Sequence, residues 1–237
     1  PACTLKVSSS IPVASGLGSG AAVSVAVIRA LAGYLGKPLP NEQISTLAYE
    51  VEKIHHGTPS GIDNTVITFA QPVNFKRELP SPRGRGAGSE GIIETFHIAK
   101  PFTIIIADTG ISSPTKETVG DVRGGWQAEA ARYERLFAAI GSITRAARQA
   151  IESGHPERLG PLMNENHELL GEMRVSSPEL DRLVQAARAA GALGAKLSGG
   201  GRGGNMITLV DAENAETISA ALRGAGAVRT ILTCVGD

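Results

Sequence analysis

The sequence predicts an α+β protein in two domains. Strand-like and helix-like segments recur along the chain, and its character changes near Phe102, where short mixed segments give way to a long, mainly helical stretch followed by further strands. With 237 residues, the chain is long enough for one large domain or two small ones with a sizeable core. A boundary is expected near Ala99 to Phe102, giving domains 1–100 and 101–237.

Thr4 to Val7 reads as a short strand, followed by a turn-rich stretch from Ile11 to Gly20. Ala21 to Leu35 is apolar on nearly every side, the pattern of a buried helix, and Gly36 closes it. Pro40 suits the first position of a second helix, because its missing N–H costs nothing there. That helix runs to about His55, with Ile44, Leu47, Ala48 and Val51 on one face. Gly57 to Gly61 is a loop. Thr65 to Phe69, Val73 to Leu79 and Ile92 to Ile98 are β-branched or alternating and read as strands. Between the last two, Ser81 to Ser89 reads as a solvated hairpin connection, since its two Arg-Gly pairs lack the aromatic residues of an RNA-binding repeat.

Thr103 to Ala107 is a continuous apolar strand, and helices dominate from Thr118 to about Gly191. Ser177-Pro178-Glu179 is a helix start, with Ser as cap and Pro at the first helical position. A strand (Ala195 to Leu197), a glycine loop, a strand (Met206 to Val210), a helix (Ala212 to Arg223) and a last strand (Val228 to Cys234) complete the chain. Trp126 and its helix suit a homodimer contact or a core position, and the core position is the expectation.

Composition narrows the function. Lys plus Arg and Asp plus Glu both number 23, and a zero net charge argues against nucleic acid or an anionic membrane surface as the main partner. No apolar run has the length of a membrane span, and no signal peptide precedes Thr4, so a soluble cytoplasmic protein is expected. Cys3 and Cys234 form neither a CxxC motif nor a disulfide framework.

Three places suit chemistry. In Gly16-Leu17-Gly18-Ser19-Gly20-Ala21-Ala22, three glycines precede a helix, so backbone N–H groups and the helix N-terminus are able to make an anion cradle. A plain glycine turn is the alternative. No Lys follows as in a Walker A loop, and the helix leads into a second helix instead of the acidic-ended strand of a dinucleotide fold. The second place holds Glu52, near a helix end where a carboxylate is better explained with a cation nearby, and Asp63, beyond a Gly/Pro loop. Taken singly, Asp63 also suits a turn or cap, and the adjacent His55 and His56 lack metal-ligand spacing. The third place is Lys196-Leu197-Ser198-Gly199-Gly200-Gly201-Arg202-Gly203-Gly204-Asn205, more glycine than a hairpin needs, which points to close backbone approach to a ligand.

In their order along the chain these stretches resemble the GHMP kinases. The first matches that family's Pro-x3-Gly-Leu-Gly-Ser-Ser-Ala nucleotide loop from Pro12 onward, and the third its C-terminal glycine motif. The middle stretch, Glu52 followed by His56-Gly57-x-Pro59-Ser60-Gly61-x-Asp63-Asn64, is most like the mevalonate kinase branch. The resemblance implies an N-terminal domain like ribosomal protein S5 domain 2 and a ferredoxin-like C-terminal domain. It implies ATP and Mg²⁺ as cofactors, mevalonate as small-molecule substrate, and transfer of phosphate to its primary hydroxyl. Asp63 would be the catalytic base. Pro12, Ser15, Gly16, Leu17, Gly18, Ser19, Gly20, Ala21 and Ala22 would hold the nucleotide, and Glu52 with Ser19 the metal. His56, Ser60, Gly61, Thr109, Ser198, Gly199, Gly200 and Gly201 would lie at or near the substrate.

The match departs from the family in two respects. The family loop usually carries a second serine that helps hold Mg²⁺, and that position is Gly20 here. The family also opens with a segment bearing a lysine that helps activate the aspartate. Nothing here matches it, so the chain is expected to lack its natural N-terminal segment. Another GHMP small-molecule kinase, a mevalonate diphosphate decarboxylase and an inactive nucleotide-binding homologue are the competing readings. Gly18 counts against the decarboxylase, whose loop usually reads Gly-Leu-Ala-Ser-Ser.

Overall fold

The computed structural model describes residues 2–9, 17–56, 59–76, 92–112 and 115–236. The expected hairpin connection from Ser81 to Ser89 lies outside them. The chain divides into two compact units, Pro1–His97 and Ile98–Asp237. Among the described residues no helix is long and apolar enough to cross a membrane.

In the first unit, helices α1 (Ser19–Tyr34), α2 (Asn41–His56) and α3 (Ile62–Phe69) precede an antiparallel pair, β1 (Val73–Lys76) and β2 (Ile92–Thr95). Val25, Ile44 and Ala48 form the helical core, with Ile28, Leu39 and Ile67 packed against them. Pro40 lies one residue before α2, and its carbonyl accepts from Gln43 and Ile44 N–H groups at 3.1 Å, so it caps the helix from outside. Only Ala21, Val25 and Ala32 of α1 are buried, and Val23 is 37% exposed, so this helix is less enclosed than its all-round apolarity suggests.

Thr65 to Phe69 is helical, against the expectation of a strand. Gly61, at φ 80°, turns the chain into α3, and Thr65 Oγ1 donates back to the Gly61 carbonyl at 2.7 Å. Asn64 and Thr68, four residues apart, are the buried positions. Packing of that face outweighs the weak β preference of Thr-Val-Ile-Thr. Thr4 to Val7 also departs from expectation: Ala2 to Ser9 are exposed and pair with no strand among the described residues.

In the second unit, β3 (Phe102–Asp108) precedes α4 (Thr115–Ala128), α5 (Ala130–Glu152), α6 (Leu159–Glu172) and α7 (Pro178–Ala189). Then come β4 (Gly194–Ser198), β5 (Asn205–Val210), α8 (Ala215–Gly224) and β6 (Arg229–Val235). The sheet order is β4-β5-β3-β6 with every neighbour antiparallel, the split βαβ order of a ferredoxin-like fold. Alternation along β3 sends Ile105 and Ala107 to the main core, with Leu180, Leu183, Ile218 and Leu222, and Ile104 to a smaller cluster with Ala150, Leu159 and Met163. Each fully buried Leu or Ile there contributes on the order of 1.5–3 kcal/mol by leaving water. Trp126 packs against the main core, as expected. Ser177 accepts from Leu180 N at 3.3 Å and Pro178 opens α7, so the predicted cap is present.

Candidate active site

The first turn of α1 is the centre of the first unit's site. Gly18 precedes the helix at φ 69°, ψ 23°, a left-handed conformation that glycine adopts without penalty. Its carbonyl accepts from Ala22 N–H at 2.9 Å. Among the described residues no side chain caps this end, and its first turn holds no acidic residue, so its leading N–H groups and positive dipole end suit an anion.

Two carboxylates flank this turn. A methyl group at position 18 would lie 3.2 Å from Ile67 Cδ1 and 3.7 Å from Asp63 Cγ, so the bare backbone lets α3 approach. A methyl group at position 20 would lie 3.3 Å from Glu52 Oε1. The structure therefore brings Gly18, Gly20, Glu52 and Asp63 together, although 45 positions separate Gly18 from Asp63 in sequence.

The local fold explains how each carboxylate is held. Asp63 is exposed and sits in the first turn of α3, where the helix dipole favours negative charge. Asn64, 5% exposed, anchors the helix by donating to Ser45 O at 3.2 Å and Ser45 Oγ at 2.9 Å on α2. The preceding loop rests on α2 as well: Tyr49 Oη donates to Pro59 O at 3.4 Å, and its ring lies against Gly61. Ser60 Oγ accepts from Ile62 N at 3.3 Å. Glu52 is 7% exposed, an unusual burial for a carboxylate.

Of the other expected residues, Leu17, Ser19, Ala21 and Ala22 lie on this same approach to α1. Pro12, Ser15 and Gly16 lie outside the described residues, and of His56 only the backbone, in the last turn of α2, is described. Among the described residues no cluster of three or more His, Cys, Asp or Glu side chains is built for a metal. Mg²⁺ needs few protein ligands when phosphates and water supply the rest, and Glu52 and Ser19 each carry the oxygen donor that this ion prefers.

The second unit holds a separate cluster. Thr109, 8% exposed, follows β3, and its N–H and Oγ1 both donate to the Gly204 carbonyl at 2.9 Å. Gly204 N–H returns a bond to Ile111 O at 2.7 Å. Thr109 thus fastens the far end of the glycine run that Ser198, Gly199, Gly200 and Gly201 begin.

Two glycines of that run serve the fold. A methyl group would lie 2.1 Å from Val175 O at Gly201 and 2.5 Å from Ile111 O at Gly203. At these two positions the close backbone approach expected for a ligand is made to the protein itself. Gly199, by contrast, has no described residue within 4 Å of where its side chain would be.

Sequence reasoning named Lys196 in this stretch without giving it a role, and passed over two polar residues beside it, Asn164 and His167. Lys196 on β4 donates through Nζ to Leu197 O at 2.6 Å, and burial pushes its amine down to about 8. Asn164 and His167 on α6 accept N–H groups of β4. The available signal was a lysine inside an apolar strand and two polar residues three apart on an amphipathic helix.

A family model described as GHMP kinases N terminal domain matches residues 1–71, and one described as GHMP kinases C terminal matches residues 147–228. The mevalonate kinase of Thermococcus gammatolerans is 37% identical over 92% of this chain and 62% of its own length. That of Saccharolobus solfataricus is 30% identical over 96% of this chain and 71% of its own. A crystal structure of L. major mevalonate kinase in complex with R-mevalonate superposes with a TM-score of 0.83 and 32% identity, covering 92% of this chain and 65% of that one. The chain thus spans about 62% of the length of the Thermococcus gammatolerans relative. The α+β class expected from the sequence, with its two GHMP kinase domains, is the fold of these relatives.

Proposed function

Because this chain belongs to the GHMP kinase family, we propose that it transfers the γ-phosphoryl group of ATP to the primary hydroxyl of mevalonate, giving phosphomevalonate and ADP. The observation that carries the reading is the meeting of two features within one unit: the open N-terminus of α1 at Gly18 and the Asp63 carboxyl group beside it. The relatives and the structure compared above, all mevalonate kinases, support mevalonate as the alcohol.

In this reading the N–H groups from Leu17 to Ala21 hold the β- and γ-phosphates, with Pro12, Ser15 and Gly16 leading into them and Ala22, whose N–H is bonded to Gly18, closing the turn. Transfer to an alcohol passes through a loose transition state, so the protein contributes positioning and charge stabilisation more than covalent chemistry. Asp63 orients the hydroxyl and accepts its proton as the new P–O bond forms and the bond to ADP breaks. An ordinary carboxylate suffices for this, because the hydroxyl becomes acidic only as that bond develops. Glu52 and Ser19 would hold Mg²⁺, which when bound neutralises phosphate charge. Of the remaining residues, His56, Ser60 and Gly61 serve the loop that presents Asp63. Thr109, Ser198, Gly199, Gly200 and Gly201 are assigned to the alcohol by the family pattern.

Asp63→Asn tests the reading, since it removes the base and keeps the shape. Turnover is expected to fall by about 10²–10⁴-fold with ATP affinity nearly unchanged. An Asn variant with near-normal turnover overturns the assignment of the base. ADP release across mevalonate, phosphomevalonate, homoserine and galactose tests the substrate, and mevalonate is expected to dominate.

A further inference from the structure

Among the described residues β4 is an edge strand, so the N–H groups along its outer side meet no strand there. Helix α6 takes that place. A methyl group on Gly194 would lie 2.2 Å from the Gly160 carbonyl oxygen, so helix and strand touch backbone to backbone. Farther along, Asn164 Oδ1 accepts from Ala195 N at 3.0 Å and His167 Nδ1 accepts from Leu197 N at 3.3 Å. Gly160, Asn164 and His167 form one stripe of α6, at four- and three-residue spacing.

Each acceptor is held from behind by α7. Arg188 Nε donates to Asn164 Oδ1 at 2.7 Å, and Asp181 Oδ1 lies 3.2 Å from His167 Nε2. Ser176 Oγ donates to the same Asp181 oxygen. The Leu197 N–H requires a bare Nδ1, which puts the ring proton on Nε2, toward Asp181. The middle of the glycine run is tied to the same corner: Arg202 N donates to Val175 O at 2.8 Å, next to Ser176.

We propose that His167 is a positioning residue for the glycine run 198–204. Its neutral ring fixes the end of β4 from which that run departs, and protonation of the ring releases it. Asp181 on α7 favours the protonated ring, while Arg188 on α7 and Lys196 on β4 oppose it. Burial is the largest influence and holds the imidazole below its ordinary 6.5, so the bonded form prevails at neutral pH. A base whose pKa is lower in the folded state binds more protons when unfolded. This contribution is therefore complete above about 6.5 and erodes as pH falls from there toward the folded value.

Amide hydrogen exchange on the intact chain tests this, comparing wild type, His167→Ala and His167→Asn at neutral and mildly acidic pH. Loss of one buried bond of about 1 kcal/mol corresponds to roughly fivefold to tenfold faster exchange, expected in His167→Ala across 197–205 and not in β3. In the wild type the same segment is expected to lose protection at acid pH, after correction for intrinsic exchange. Asn carries an oxygen near the Nδ1 position and does not titrate, so His167→Asn is expected to restore protection and remove the acid effect. Unaltered protection in His167→Ala, or an acid loss that persists in His167→Asn, overturns the proposal. If the Ala variant does not fold, the wild type and the Asn variant at the two pH values decide the matter.

A kinetic comparison adds a readout that rests on the phosphoryl-transfer reading. In His167→Ala, kcat/KM for mevalonate is expected to fall about tenfold while KM for ATP holds, and His167→Asn to recover most of the loss. Exchange changes as described, in a protein with no turnover on any alcohol, support the positioning role and count against the phosphoryl-transfer reading alone.

Discussion

Position 20 is where a single missing side chain has the most consequence. A methyl group there would lie 3.3 Å from Glu52 Oε1, so a serine would bring its hydroxyl to that carboxylate and complete an oxygen pair for a hard cation. Gly20→Ser is expected to lower the Mg²⁺ concentration for half-maximal turnover by several-fold, on the order of one added oxygen ligand's effect. A magnesium titration checks it, and an unchanged or higher requirement counts against Glu52 as a metal ligand. The pairing of Glu52 and Asp63 with the first glycine turn was expected before the structure only through the resemblance to the GHMP kinases, since residue types and spacing alone left a plain turn and a capping aspartate open. The split of tasks among the later glycines was not. Gly199 and Gly201 look alike in sequence, and only the position of Val175 O makes one of them obligatory for packing.

Among the elements, α3 and α6 carry the lesson. Thr65 to Phe69 has the composition of a strand and is a helix, because Asn64 and Thr68 are buried on one side and Asn64 is bonded to Ser45 of α2. That geometry places Asp63 in the first turn, where the dipole supports its charge. For α6 the decisive contact is with the edge of β4. Gly194→Ala would force a methyl group to within 2.2 Å of the Gly160 carbonyl, which the backbone must relieve by moving helix from strand. A loss of about 3 kcal/mol or more in urea unfolding is expected, with faster exchange along β4. A variant within about 0.5 kcal/mol of wild type would contradict such close docking. Helix starts and stops were readable from local chemistry, as Ser177-Pro178 shows. The covering of an edge strand was not, since it depends on sheet order, which no local pattern states.

For the molecule as a whole, stability responds to two bases of the second unit, the buried His167 and the half-buried Lys196. The Lys196 amine is pushed down to about 8 from 10.5 by burial, so the unfolded chain binds more protons between those values. Its charging therefore costs stability below about 8, and that cost fades as pH rises to 10.5. Lys196→Met is expected to be more stable than the wild type at pH 7 in urea melts, with the difference shrinking as pH rises through that window. An equal difference at all pH values would show that burial does not disfavour the charge. By itself the sequence determined the zero net charge, most helix and strand positions in the second unit, and the residues that carry the resemblance to the GHMP kinases. Those properties follow from residue type and near-neighbour spacing. Tertiary structure alone decided that α3 is a helix, that Gly201 and Gly203 face protein carbonyls, and that α6 completes the edge of β4. Each of these turns on which atoms distant in the chain come to lie within a few ångströms, and packing, not local preference, sets those distances.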